Sequence, residues 1–338
     1  MSGIISDNKG RSSGLVKAAA GGVPTIAGDK SPATAGDIWF NSSTGKMRCY
    51  IPVAAWSAGG ALGTARQSCM GFGTSGAAAV AGGNHPALGT TEEYNGTSWG
   101  SGGATNTDAH GTAQGGLQTA GIKSMGYDSG ATTGSETYDG SSWTAITAAP
   151  TAKYEGGGLG TSTAFVLFAG GPGVSNSTHT WNGTSWATGG TMNTPLHYAN
   201  GCGTITAGLS VGGLNPTPTN VNVVEEYNGT DWTTVTAYPT TISHRAVAGA
   251  QTNALVIAGK TDNSTSTVTD ECYSYDGTNW TQTTDFPYKT YLGGASKSDA
   301  TAGGSTIHIG GYDHDASGAV VARTHHWLGT DSVSVSTE

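Results

Sequence analysis

The stretch Tyr94-Asn95-Gly96-Thr97-Ser98-Trp99 recurs along this chain with little change. Asn-Gly or Asp-Gly between apolar residues favours a type I′ turn, because both central residues of that turn need a positive φ. The stretch therefore predicts a β-hairpin whose first strand ends at the Tyr and whose second strand begins at the Trp. Later copies are Tyr138–Trp143, Trp181–Trp186, Tyr227–Trp232 and Tyr275–Trp280, with a degenerate copy at His326–Asp331.

The tryptophans that close these copies repeat at a nearly constant interval. Trp99, Trp143, Trp186, Trp232 and Trp280 are 44, 43, 46 and 48 residues apart, and Trp56 lies 43 residues before Trp99. Self-similarity at this period is typical of stacked or radially repeated units. A fibre of tandem hairpins would repeat in the same way and is the alternative interpretation.

Each unit also contains a short apolar strand that ends in a glycine pair. The copies are Ala77–Gly83, Phe165–Gly171, Leu209–Gly213 and Ile307–Gly311, and Met125-Gly126 and Ala258-Gly259 are imperfect copies. A glycine-bearing turn precedes most of these strands. Each unit is therefore predicted to hold four short strands, which is the content of one propeller blade.

The numbers of strands of each kind predict how the units assemble. There are six glycine-pair strands, six strands that carry the Tyr or its substitute, and six Trp strands if Trp56 is counted. We therefore predict an all-β fold, a six-bladed propeller in which the Trp56 strand completes the last blade; seven blades are the alternative. Such closure leaves no exposed sheet edge. The alternating tail Asp331–Ser336 could compete for the same edge position.

The glycine pair, the spaced Tyr and the spaced Trp resemble the kelch family of β-propeller repeats over about residues 57–331. A low-complexity variety with a Trp-x-x-Gly-Gly opening is the most similar, and that opening occurs at Trp56–Gly60 and Trp186–Gly190. Such repeats are similar to those of marine bacterial and phage proteins. The resemblance implies a kelch-like propeller over residues 56–338.

The first 55 residues differ in composition from the repeats. Residues 1–36 are rich in Gly, Ala, Ser and Lys, which predicts an extended anchor segment that orders by contact with something else. Residues 37–55 contain Asp37-Ile38-Trp39-Phe40-Asn41, a Ser-Thr-Gly turn and a second strand. This pattern resembles a short hairpin module of phage tail fibres and related virion proteins. A hairpin that caps the propeller is the alternative.

Composition excludes several classes of protein. The net charge is −9 and charged residues are 11% of the chain, against about a quarter in an average domain. No basic stripe is present, so we expect no nucleic-acid partner. No run of 18 apolar residues occurs, so we expect no membrane insertion. The four cysteines, Cys49, Cys69, Cys202 and Cys272, form no C-x-x-C pair and are expected to be free, buried thiols.

No arrangement of residues predicts catalysis. A copper radical oxidase with kelch repeats needs two His, two Tyr and a Cys, and no local pattern places that set. The stretch Thr137–Trp143 resembles the Asp-box of sialidases but is one residue short. Asp313-His314-Asp315 could hold a metal ion but is interpreted as a solvated turn. We therefore expect no enzyme activity, no cofactor and no metal.

One periodic position gathers aromatic and imidazole side chains. Eleven residues after each Trp stand Gln67, His110, Tyr154, His197, Ser243 and Tyr291. Equivalent positions of all blades lie on one ring, so His110, Tyr154, His197 and Tyr291 are candidate ligand-binding residues, with Arg66 and Lys153 beside them. Such groups suit sugar recognition by stacking and hydrogen bonding. The alternative is that these residues pack between blades.

Together these features predict a phage virion protein, a tail-fibre or appendage subunit located in the extracellular particle. Residues 1–55 are expected to contact other virion proteins, and the propeller to bind a host-surface glycan or a neighbouring virion protein, as a homo-oligomer. One alternative is a non-adhesive capsid or tail decoration or adaptor protein. A second alternative is a secreted kelch-type carbohydrate-active enzyme.

Overall fold

All regular structure in the described part of the chain is β-strand, and no helix is present there. The structure is a computed structural model that describes residues 23–27, 37–43, 45–51, 56–83, 87–263, 267–296, 305–315, 318–328 and 333–336. The chain divides into two compact units, one of residues 55–329 and a smaller one of residues 1–54 together with 330–338.

The smaller unit contains one four-stranded sheet built from both ends of the chain. Strands Ile38–Asn41 and Lys46–Ile51 pair antiparallel, as the predicted hairpin requires. Thr25–Ile26 pairs parallel with the first of these strands, and Val333–Ser336 pairs antiparallel with the second. The C-terminal tail therefore extends this sheet. Most of the predicted anchor segment, residues 1–22 and 28–36, lies outside the described residues.

The larger unit contains six four-stranded antiparallel sheets within the described residues, here called sheets 1 to 6. The strands of sheets 1 to 3, in order of pairing, are Gly71–Gly73, Ala78–Ala81, Thr91–Tyr94 and Trp99–Ser101; Ala113–Leu117, Ala120–Ser124, Ser135–Tyr138 and Trp143–Ala145; and Gly157–Thr161, Ala164–Phe168, Thr178–Trp181 and Trp186–Thr188. Those of sheets 4 to 6 are Asn200–Thr204, Ala207–Leu214, Asn220–Tyr227 and Trp232–Thr234; Ala246–Ala250, Asn253–Lys260, Val268–Tyr275 and Trp280–Gln282; and Gly294–Ala295, Thr306–Ile309, Thr324–Trp327 and Trp56–Ala58. A small additional sheet pairs Thr290–Tyr291, Tyr312–Asp313 and Ala319–Val320.

Sheet 6 joins two distant parts of the sequence. Trp56 pairs with Trp327, so the strand at the start of the repeats is the outer strand of the last sheet. The first strand of each sheet contacts the first strand of the next, and the first strand of sheet 6 contacts that of sheet 1. The approach is close, because a Cβ atom added to Gly294 would lie 2.7 Å from the backbone nitrogen of Gly71. This arrangement is consistent with a β-propeller.

The repeated Tyr and Trp side chains pack between neighbouring sheets. Trp143 stacks on Tyr138 with ring centroids 4.9 Å apart, and its indole N–H donates to Thr91 Oγ1 of sheet 1 at 2.8 Å. Trp232 repeats this pattern with Thr178 of sheet 3. These two tryptophans are buried, at 6% and 5% exposure. The other four, Trp56, Trp99, Trp186 and Trp280, are partly exposed.

The Asn-Gly hairpins are present, but the predicted type I′ turn is wrong. Only the glycine has a positive φ, as at Gly96 with 95°, whereas a type I′ turn needs positive φ at both central residues. Asn95 Oδ1 instead accepts the backbone N–H groups of Thr97 and Ser98 at 3.0 and 2.9 Å. The Asn or Asp side chain thus closes the turn by an Asx-type hydrogen bond.

The glycine pair has the same backbone conformation in all six sheets. In all six sheets the first position of the pair has φ between 50° and 71° and the second has φ between 93° and 130°. The second position is always glycine, at Gly83, Gly126, Gly170, Gly213, Gly259 and Gly311. The first position accepts other residues, namely Met125, Ala169 and Ala258. The copies that look imperfect in the sequence are therefore complete members of the repeat.

Candidate functional site

The predicted ring positions lie where the first strand of each sheet begins. In sheets 2 to 6 each pairs with the residue that follows the glycine pair of the same sheet, for example His110 with Tyr127 and Tyr291 with Tyr312. In sheet 1 the residue after the glycine pair lies outside the described residues. Because the two paired strands are antiparallel, both residues lie at the same end of their sheet.

Eight side chains, six from these two positions and two from the residue that follows a ring position, form a continuous run of rings, here called the aromatic arc. Its members, in order of contact, are His110, Tyr127, Tyr154, His197, Tyr198, His244, Tyr291 and Tyr312. Successive ring centroids are between 3.7 and 6.2 Å apart. All eight side chains keep some exposure to solvent. The arc brings together the four predicted residues His110, Tyr154, His197 and Tyr291.

The two predicted basic residues have a different environment. Arg66 is fully buried, pairs with Glu92 at 2.6 Å and donates to the carbonyl of Gly82 at 2.7 Å. Lys153 is 9% exposed, and burial lowers its pKa. Neither side chain offers much surface to a ligand. The cation that does lie beside the arc is Lys260, whose Nζ is 4.8 Å from the centre of the Tyr291 ring.

The residues that directly follow the six ring positions form a second group, here called the collar. It consists of Ser68, Gly111, Glu155, Tyr198, His244 and Leu292, one from each repeat, and all six have φ between 49° and 61°. The backbone N–H groups of Ser68, Gly111, Glu155 and Leu292 each donate to the carbonyl of the neighbouring collar residue, as from Glu155 to Gly111 at 2.7 Å and from Gly111 to Ser68 at 2.9 Å. A left-handed conformation costs a non-glycine residue about 1–2 kcal/mol. These hydrogen bonds between sheets offset that strain.

A cavity of about 50 Å³ lies at the collar, and all six collar residues line it. The remaining lining residues are Cys69, Met70, Ala199, Asn200, Arg245 and Gly293. A volume of this size holds a group comparable to a few water molecules, because a single water needs about 10–15 Å³ by the same measure. The collar cavity can therefore take a small polar group but not a whole sugar.

Glu155 brings a carboxylate to the collar cavity. Its Oε2 atom lies 3.2 Å from Nε2 of His197, but the two atoms are not aligned for a hydrogen bond. The Glu155 side chain is only 10% exposed. Burial, and then the charge and hydrogen bond of Glu155, raise the pKa of Tyr198. The Tyr198 hydroxyl thus stays protonated beside this carboxylate.

His244 and Arg245 also line the cavity. Burial, followed by the charges of Lys260 and Arg245, holds the pKa of His244 well below its usual value, so the ring is neutral. Arg245 is 2% exposed and donates to the carbonyls of Tyr198 and Asn200 at 2.7 and 3.4 Å. Burial lowers the pKa of Arg245 to about 9. This guanidinium supports the backbone of sheet 4.

The arrangement of the arc and collar supports binding. Rings with partly exposed faces can stack on a ligand, and the Glu155 carboxylate can accept hydrogen bonds. In the described part of the chain, no group of three His, Cys, Asp or Glu side chains converges on a possible metal position. Asp313 of the Asp-His-Asp stretch instead pairs with Arg323. No helix long and apolar enough to cross a membrane occurs among the described residues.

The cysteine side chains that the structure describes are free and buried. They are Cys69, Cys202 and Cys272, as predicted, while the side chain of Cys49 lies outside the described residues. Burial raises the pKa of Cys69 to about 11 and that of Cys272 to about 12. Thiols in this state are poor nucleophiles, because the reactive form is the thiolate.

No protein-family model matches this chain, and no curated protein matches it. The functional proposal therefore rests on the arc and the collar and on the resemblance of the repeats.

Half of the arc was missed by reasoning from the sequence. Tyr127 and Tyr312 each follow a glycine pair, and Tyr198 and His244 each stand twelve residues after a Trp. Both positions lie at a constant distance in sequence from a repeated residue, so the repeat could have identified them. The repeat could not predict the pairing that brings the two positions together.

Proposed function

We propose that this chain is a six-bladed, kelch-like β-propeller protein of a phage virion and that its aromatic arc binds a glycan on the host surface. The observation that carries the proposal is the arc itself, eight partly exposed rings in unbroken contact. Sugars present C–H faces that stack on aromatic rings and hydroxyl groups that bond to imidazole and phenol groups. The binding is non-catalytic and depends on many weak contacts.

Six blades are supported by the sheets and by how they meet. Each of sheets 1 to 6 has four antiparallel strands, and the first strands contact one another in a closed succession. The pairing of Trp56 with Trp327 joins the two ends of the repeat region. In this proposal sheets 1 to 6 are the six blades, and the arc surrounds one end of the propeller axis.

The virion assignment is supported by the N-terminal pattern. The hairpin that resembles a module of tail fibres pairs with a C-terminal strand in a small sheet of its own. In this proposal residues 1–55 contact other virion proteins, and the subunit is repeated in a homo-oligomer. Repeated copies of a weak glycan site would raise avidity without a tight single site.

The proposal is tested by removing two rings of the arc. The double variant Tyr154→Ala/Tyr291→Ala should reduce adsorption of the isolated protein to host cells at least several-fold while its melting temperature stays unchanged. Tyr273→Ala is the matched control, because Tyr273 is a partly exposed tyrosine outside the arc. Adsorption of the double variant equal to that of the parent, or no adsorption of the parent, would favour a structural adaptor instead.

A further inference from the structure

Glu155 is the collar residue that carries a carboxyl group. Within the described residues no Lys or Arg forms an ion pair with it, and its one close contact of that kind is His197. In comparison, the buried Glu92 pairs with Arg66 and the buried Glu136 pairs with Lys123. Buried carboxylates are normally paired, because an isolated buried charge is costly.

The space around Glu155 is shaped by its neighbours. A Cβ atom added to Gly111 would lie 2.6 Å from Cγ of Glu155, so the glycine makes room for this side chain beside the cavity. The rings of Tyr154, His197 and Tyr198 follow one another around the carboxylate in the arc. A buried carboxylate with an oxygen that accepts no hydrogen bond is an environment that attracts a cation through its charge.

We propose that the collar cavity binds a primary ammonium group and that Glu155 is its counter-ion. The inference rests on the proposed glycan-binding function and deepens it, because it narrows the ligand to a glycan with a free amino sugar. The ring of such a sugar would stack on the arc, and its ammonium group would enter the cavity. An ammonium group has three N–H donors and fits a volume of about 50 Å³.

Arg245 is the other charged group that lines the cavity, and its Nη atoms donate to the main-chain carbonyls of Tyr198 and Asn200, while its Nε has no hydrogen-bond partner. Burial and the charge of Glu155 raise the pKa of Tyr198, and the Tyr198 ring stacks on both His197 and His244. A carboxylate or phosphate would instead meet the Glu155 charge directly, which is unfavourable in a partly buried site.

The test compares four small probes on the full chain by isothermal titration calorimetry, at a pH where the amines are protonated. The probes are D-glucosamine, N-acetyl-D-glucosamine, methylammonium chloride and Nα-acetyl-lysine methyl amide. The parent should bind glucosamine about ten-fold more tightly than N-acetylglucosamine, since a hydrogen bond to a charged group has about that effect. Glu155→Gln should abolish this difference in affinity and the binding of methylammonium.

The control is Glu226→Gln, because Glu226 likewise lies beside a tyrosine hydroxyl, that of Tyr275, but does not line the cavity. This variant should behave like the parent. If Glu155→Gln does not fold, Tyr198→Phe provides the second test, because it removes only the hydroxyl beside Glu155 and should weaken glucosamine binding.

The outcomes separate this inference from the proposed function. Equal affinity for glucosamine and N-acetylglucosamine, or an unchanged difference in Glu155→Gln, would overturn the ammonium site and leave glycan binding by the arc intact. Binding of the lysine amide and methylammonium, with no binding of either sugar, would support the ammonium site and contradict the glycan ligand. That result would point to a lysine of a protein partner. Binding of none of the four probes would overturn the inference.

Discussion

The indole of Trp143 connects two sheets through both its ring and its N–H group. The ring packs on Tyr138 of its own sheet and on Phe72 of sheet 1, and the N–H donates to Thr91 of sheet 1. Trp232 makes the same contacts in sheet 4, on Tyr227, Phe168 and Thr178. A single side chain thus carries packing and a hydrogen bond across the boundary between two sheets.

Replacing either of these tryptophans should destabilise the protein strongly. Trp143→Ala or Trp232→Ala should lower the free energy of unfolding by about 3–5 kcal/mol, because each leaves a cavity and an unpaired threonine hydroxyl. Trp186→Ala is the control, since Trp186 is partly exposed and donates to the carbonyl of Thr147 instead. Urea unfolding of the three variants measures the effect. A loss in Trp186→Ala as large as in the other two would contradict the packing role.

At the scale of the element, the glycine pair ends each apolar strand in a defined way. The strand register shifts at this point in sheets 4 and 5, between Val211 and Gly213 and between Ile257 and Gly259. The local change of direction brings the following residue opposite the ring position of the same sheet, as in the pair Ser243 and Lys260. The pair therefore positions the end of the sheet that carries the arc.

The two positions of the pair should differ in their tolerance to substitution. Gly259→Ala should cost about 1–3 kcal/mol of stability, because φ is 126° and the added Cβ would lie 2.8 Å from the Ser243 carbonyl oxygen. Ala258→Gly is the matched control, because Ala258 already has a left-handed φ of 50° that glycine adopts without strain. Thermal melting of both variants is the measurement. Equal destabilisation by the two changes would contradict this difference between the two positions of the pair.

At the scale of the whole molecule, sheet 6 joins the two ends of the repeat region. In this sheet His308 and His325 are directly paired across neighbouring strands. Both side chains are buried, and their rings contact Phe286 with centroids 4.6 and 5.1 Å away. Burial lowers the pKa of His308 to about 3, and burial followed by the charge of Arg323 lowers that of His325 to about 4.

These two histidines should make the closure of sheet 6 sensitive to acid. Their pKa values are depressed in the folded state, so their contribution is fully present above the ordinary value of 6.5 and is lost as the pH falls toward 4. Unfolding then takes up protons, and each histidine lowers the free energy of unfolding by up to about 1.4 kcal/mol per pH unit. Urea unfolding from pH 7 to pH 4 measures this slope.

The contribution of one histidine can be isolated by substitution. His308→Leu keeps an apolar side chain against Phe286 and should make the pH dependence of the free energy of unfolding less steep. His314→Gln is the control, because His314 is partly exposed and lies outside sheet 6. Identical slopes in the parent and in His308→Leu would show that His308 does not titrate on unfolding.

The sequence by itself determined the features that act over a few residues. The repeat of Tyr, Asn-Gly and Trp predicted every third and outer strand, and the glycine pair predicted every second strand, because turns and glycine conformations are local properties. Equal numbers of strands predicted that Trp56 would join the last sheet, as its pairing with Trp327 shows. The turn type was wrong because an Asx hydrogen bond replaced the second positive φ.

Only the tertiary structure decided which side chains meet. Tyr127 is 27 residues from Tyr154, and His244 is 47 residues from Tyr291, yet each pair is in ring contact. The structure also placed Val333–Ser336 in the small sheet and buried Arg66 against Glu92. These contacts join different sheets, so their geometry follows from how the sheets pack around a common centre. A local sequence pattern contains no information on that packing.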